Sequence, residues 1–98
     1  MEIIKNLNND ELTIELIGRL DTTTSPMLEA ELKDSLNDVK TLSFDFKGLE
    51  YISSAGLRVL LAAQKVMNRQ GKMTIANANE EIKEVFDITG FSDILTIE

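Results

Sequence analysis

Ninety-eight residues, 43% hydrophobic and 28% charged, have the composition of an ordinary globular domain. Seventeen acidic against ten basic residues give a net charge of -7, which repels phosphate backbones and anionic membrane surfaces and argues against nucleic-acid binding as the main task. Cysteine and histidine are both absent, so disulfides, thiolate nucleophiles, histidine-based triads and zinc sites built on either residue are excluded.

A chain of this size buries only about 60 to 65% of its unfolded surface, so an enclosed active site would compete with the core for residues. Carboxylates, hydroxyls, lysines, arginines and Tyr51 are what remain for chemistry. The expectation is a binding module, not an enzyme, with no cofactor and no metal. MEIIKNLNND lacks a basic segment followed by a long apolar core, and no run of about 18 apolar residues occurs. Neither secretion nor membrane spanning is expected, and the cytoplasm is the expected location. No Pro/Gly-rich linker interrupts the chain, which reads as a single domain over 1–98.

Ile3, Ile4 and Leu7 open a first strand, and Asn8-Asn9-Asp10 is a turn cluster that tolerates left-handed backbone, so a hairpin follows. Leu12, Ile14 and Leu16 alternate with Thr13 and Glu15, the period of a strand with one buried face, and Gly18 ends the pattern. Ser25-Pro26 starts a helix, because proline at the first helical position lacks only an amide that had no partner. Leu28, Leu32 and Leu36 line its core side, backed by Met27 and Ala30, while Glu29, Glu31, Lys33 and Asp34 face solvent and Asn37-Asp38 closes it.

Leu42, Phe44 and Phe46 point inward from a strand over 41–46 that stops at Gly48. Ser53 and Ser54 then precede Gly56 and the apolar run Leu57 to Met67, so one of the two serines caps a helix. The positive end of that helix also tolerates an added phosphate. Leu57, Leu60, Ala63 and Met67 form the buried side of this helix; Arg58, Ala62, Lys65 and Arg69 form an exposed basic strip opposite. Gly71 stops the helix. Met73 and Ile75 mark a short strand, and Asn77-Ala78-Asn79 leads to a last helix carrying Ile82, Val85, Phe86 and Thr89, with Gly90 just past its end. Phe91, Ile94, Leu95 and Ile97 finish as a packing segment with an edge strand. Strands joined through helices are most simply parallel, so the expected fold is α/β, a mixed four- to five-stranded sheet with helices mainly on one face.

Four stretches in this order and spacing carry a family resemblance: Gly18-Arg19-Leu20-Asp21; Phe44-Asp45-Phe46 with Leu49; Tyr51-Ile52-Ser53-Ser54-Ala55-Gly56-Leu57; and Val85-Phe86-Asp87-Ile88-Thr89-Gly90-Phe91. The chain resembles the STAS domain, and within it the stand-alone bacterial anti-sigma-factor antagonists. The resemblance implies a cycle. A serine in the loop pattern Asp-Ser-Ser/Thr-Gly-Leu is phosphorylated by an anti-sigma factor that is also a serine kinase. The unphosphorylated antagonist binds that factor and frees a sigma factor, phosphorylation abolishes this, and a metal-dependent serine phosphatase resets it. Ser54 stands at the phosphorylated position.

Asp21 matches the family aspartate after the second strand. The expected contact surface is Asp21, Ser53, Ser54, Ala55, Gly56, Leu57 and Arg58, with Lys65 farther along the helix, on a monomer that binds neither nucleic acid nor membrane. Arg58, four residues after Ser54, is within reach of a phosphate there. Two residues depart from the family pattern: Ser53 replaces an aspartate and Ala55 replaces a second hydroxyl. The first removes a carboxylate beside the acceptor and leaves Ser53 as a competing one. These departures also fit a second reading, an accessory STAS subunit of a signalling or transport assembly that is never phosphorylated.

Overall fold

A computed structural model describes residues 1–98. Strands β1 (Glu2–Asn8) and β2 (Glu11–Leu20) form the hairpin, followed by α1 (Ser25–Ser35), β3 (Thr41–Ile52), α2 (Ser54–Gln70), β4 (Lys72–Ala76) and α3 (Glu80–Thr89). The sheet runs β1-β2-β3-β4, with β1 antiparallel to β2 and the other pairs parallel. Asn9 adopts φ 59 in the hairpin turn, as its side-chain type allows.

Period-two patterning decides which face of the sheet the helices cover. Leu12, Ile14, Leu16, Leu42, Phe44, Phe46, Met73 and Ile75 are buried and join Leu28, Leu32, Leu57, Leu60, Met67, Ile82 and Phe86 of the helices in one core cluster. Thr13, Glu15, Ser43, Asp45 and Thr74 alternate with them and remain half-buried or exposed on the other face. The helices therefore lie on one side of a four-stranded mixed sheet.

Several expected boundaries shift. β2 runs past Gly18 to Leu20, and β3 runs past Gly48 to Ile52. The cause is a pair of bulges: β3 carries an extra residue opposite the step from Glu15 to Ile17, and another opposite the step from Gly18 to Arg19. Gly18 takes φ 109 and continues its strand. At Gly48 a Cβ would come within 3.0 Å of Ile17 Cγ1, so a glycine lets the bulged strand stay close. Met27 and Ala30 are exposed, because they lie on the side of α1 turned away from Leu28 and Leu32.

The expected last strand reduces to one bridge. Phe91–Asp93 forms a 3-10 turn, after which Ile75 donates to the Thr96 carbonyl at 2.9 Å and accepts from the Glu98 amide at 2.8 Å. Leu95 is buried, whereas Ile94 points outward. Gly90, at φ 82, terminates α3 as its position suggested.

The passage from α2 to β4 depends on close backbone approach. Gly71 donates its amide to the Met67 carbonyl, Lys72 donates to the Lys40 carbonyl, and a Cβ on Gly71 would sit 1.8 Å from that Lys40 oxygen. Gly71→Ala is expected to lower stability by about 3 kcal/mol through overpacking against backbone, read as a lower urea midpoint at unchanged slope.

Candidate partner-binding site

The site is the joint where β3 becomes α2. Ile52 pairs with Leu20, and the Ser53 amide donates to the Leu20 carbonyl at 2.9 Å, which extends the ladder one residue beyond the strand. Ser53 is extended (φ -101, ψ 174), its Oγ accepts from the Gly56 amide at 3.5 Å, and its carbonyl accepts from Leu57. Ser53 is therefore the helix cap. Ser54 is the first helical residue and is exposed, and its hydroxyl makes no hydrogen bond within the protein. The amides of Ser54 and Ala55 find no backbone acceptor, as expected for a helix start.

Steric fit fixes this joint as tightly as the hydrogen bonds do. A Cβ on the buried Gly56 would lie 2.7 Å from Leu20 Cγ and 2.9 Å from Ile52 Cγ1. The first turn of α2 thus rests directly on the ends of β2 and β3. Leu57 turns into the core and Ala55 is half-buried, while Arg58 is exposed one turn after Ser54 and makes no ion pair. Leu57 thereby contributes packing beneath the surface. Lys65 is exposed about 10 Å farther along the helix at 1.5 Å per residue.

Asp21 follows Leu20 directly, so the same strand pairing brings its loop beside Ser53. Its carboxylate accepts the amides of Thr23 (3.0 Å) and Thr24 (3.1 Å) and the Thr24 hydroxyl (3.3 Å). Ser25 donates both its amide and its hydroxyl to the Asp21 carbonyl. The Thr24 amide first, then the Thr23 amide, the Thr24 hydroxyl and the Arg19 guanidinium hold the Asp21 carboxyl below its ordinary 3.8, against a partial opposing effect of burial. Asp21 builds the turn into α1.

Sequence reasoning missed one neighbour. Arg19 pairs across the strands with Tyr51, its guanidinium 4.2 Å from the ring centre, and its Nε lies 3.7 Å from Asp21. The second bulge sets that pairing, and spacing within one strand carries no sign of it. A cleft between the Thr22–Pro26 turn and the side chains of Ala55, Arg58 and Val59 completes the surface.

A sequence model described as the STAS domain matches residues 2–98. The anti-sigma-B factor antagonist of Bacillus subtilis is 29% identical over 91 residues, covering 92% of this chain and 84% of that protein. The anti-sigma-B factor antagonist of Listeria monocytogenes is 29% identical over 97 residues, covering 97% and 85%. An anti-sigma factor antagonist structure from Mycobacterium paratuberculosis superposes with a TM-score of 0.88 at 18% identity, covering 98% of this chain and 83% of that one. SpoIIAA in its unphosphorylated form gives 0.78 at 17% identity, covering 99% and 87%. The phosphorylated form of SpoIIAA, from Bacillus, gives 0.78 at 18%, covering 99% and 91%. At these identities the superpositions establish the shared fold.

The two serines have separable effects on stability. Ser53→Ala is expected to cost about 1 kcal/mol as a lost cap, and Ser54→Ala close to nothing, measured by urea unfolding at pH 7. A carboxylate whose folded pKa is depressed stabilises fully above its unfolded pKa and loses that contribution as pH falls through the folded value. Asp21→Asn should therefore flatten the decline of stability below about pH 4. Asp45, also lowered, by the Lys47 amide first and then by Asn77, contributes a decline of the same sign that Asp21→Asn leaves in place.

Proposed function

The chain belongs to the STAS domain family, and from that membership we propose an anti-sigma-factor antagonist whose hold on its partner is switched by phosphorylation of Ser54. Relatives matched over most of their length carry the antagonist name. The unphosphorylated chain acts as a binding module: it docks on an anti-sigma factor and so releases a sigma factor. The observation that carries the switch is the division of labour between the serines. Ser53 is half-buried and occupied as the cap, whereas Ser54 presents a free, exposed hydroxyl.

Phosphoryl transfer forms a bond between Ser54 Oγ and the γ-phosphorus of ATP; the hydroxyl proton passes to a base of the kinase and ADP leaves. The product adds nearly two negative charges and three acceptor oxygens to the first turn. The unpartnered amides of Ser54 and Ala55 and the helix dipole make that charge tolerable to the domain itself. The penalty falls on the complex, since a partner seated over the first turn would have to desolvate an unpaired charge at a cost of several kcal/mol. A serine phosphatase restores the hydroxyl by hydrolysis. The solved forms of SpoIIAA, unphosphorylated and phosphorylated, support the view that this scaffold accommodates both states.

Ser53 and Ala55, which depart from the family loop pattern, favour a second reading as an accessory subunit that is never phosphorylated. Intact-mass analysis separates the two. With ATP, magnesium and the anti-sigma-factor kinases of its own genome, the protein should gain the mass of one phosphate, Ser53→Ala should still gain it, and Ser54→Ala should not. The phosphorylated form should lose binding that the unphosphorylated form shows. Binding with no phosphate gained from any of those kinases would support the accessory reading instead.

A further inference from the structure

Charge along this chain is sharply segregated. Between Glu50 and Glu80 no acidic residue occurs, while Arg58, Lys65, Arg69 and Lys72 fall inside that interval; the interval carries +4 and the rest of the chain -11. All 17 residues of α2 lie within it. Its first turn holds no carboxylate, although acids there would favour the helix, and α3 places Glu80 and Glu81 in the equivalent position. No glutamate or aspartate on α2 can pair with its cations at helical spacing, and Arg58, Lys65 and Arg69 are all exposed and free of ion pairs. In a protein with seventeen acids, this helix surface forgoes every local stabilisation they could provide.

Beside the cationic strip runs a groove between α1 and α2. Val59, Ala62 and Val66, spaced three and four apart, line its α2 side, with Ala62 and Val66 exposed. Val59 and Glu29 also line the cleft at the first turn, so the groove continues to the Ser54 end of the helix. A cationic rim beside an apolar seam of helical spacing is complementary to an amphipathic helix with carboxylates along one edge.

We propose that the Arg58, Lys65 and Arg69 strip and the adjoining Val59, Ala62 and Val66 seam form the docking track for an acidic amphipathic helix of the anti-sigma-factor partner. The inference rests on the antagonist reading above and adds to it the chemistry of the partner. Aliphatic side chains of that helix fill the seam and its carboxylates meet the cations. Phosphate on Ser54 stands at one end of the track, where it lowers the positive potential that attracts the partner.

The test is titration of the anti-sigma factor that binds this protein into wild type, into the double variant Lys65→Glu/Arg69→Glu, and into Lys72→Glu, a single charge reversal on the β4 surface. Each variant is first checked for an unchanged urea midpoint. The double variant is expected to bind at least about tenfold more weakly, with a shallower dependence of affinity on salt, and Lys72→Glu within about twofold of wild type. Hydrogen exchange in the complex is expected to slow along α2 as far as Arg69. Unchanged affinity of the double variant, while Ser54 phosphorylation still abolishes binding, overturns the docking track and leaves the antagonist reading standing. If no anti-sigma factor binds wild type, both fall together. If the strip instead drives self-association or binds a DNA duplex, with the double variant losing that property and keeping its partner, the assignment of the occupant is wrong.

Discussion

The hydrogen bond from the Ser53 amide to the Leu20 carbonyl, with Gly56 pressed onto Leu20 and Ile52, is the constraint on which the candidate surface depends. It joins the end of β2 to the start of α2, and thereby places the Asp21 loop and the first turn of the helix side by side. Residue types at the joint each follow from this contact. A serine at 53 supplies the cap, position 56 has room for no Cβ, and Leu57 anchors the turn from below. Position 54 is the one place in that turn where a side chain is left without structural duty.

The same economy would let the modification proposed at Ser54 govern binding without disturbing the fold. Core residues of α2 lie on one side of the helix, from Leu57 through Leu60 and Ala63 to Met67, and the surface that meets solvent between Ser54 and Arg69 holds Ala62, Val66, Asn68 and the cations, with no carboxylate. Charge added at Ser54 would act on that outer surface. In the proposed switch the domain would keep its stability because the helix start is electrostatically suited to an anion, and the change in free energy would fall where a second protein must approach.

Much of this was legible in the sequence because it rests on periodicity. Alternation of Leu42, Phe44 and Phe46, the four-residue recurrence through Leu57 to Met67, proline at the start of α1 and glycine at the end of α3 are all local signals. What periodicity could not show depends on partners distant in the chain. The bulges of β3 arise from register against β2, and they extend both strands past the glycines that a local reading takes as stops. The assignment of the cap to Ser53 and not Ser54 follows from where the ladder ends. Val59 is buried, and Gln64 is buried with its Nε2 donating to Asn68 and its Oε1 unpartnered, a placement no polar side chain announces in advance.

The two extra residues in β3 also make this region sensitive to length. Each supernumerary residue is absorbed as a local kink, and together they bring Ile52 back into step with Leu20. Removing a single residue between Lys47 and Glu50 would slip the remaining segment by one, invert which side chains face the core, and carry the serine pair to the wrong side of the sheet. A one-residue insertion or deletion here needs a second one to restore the phase.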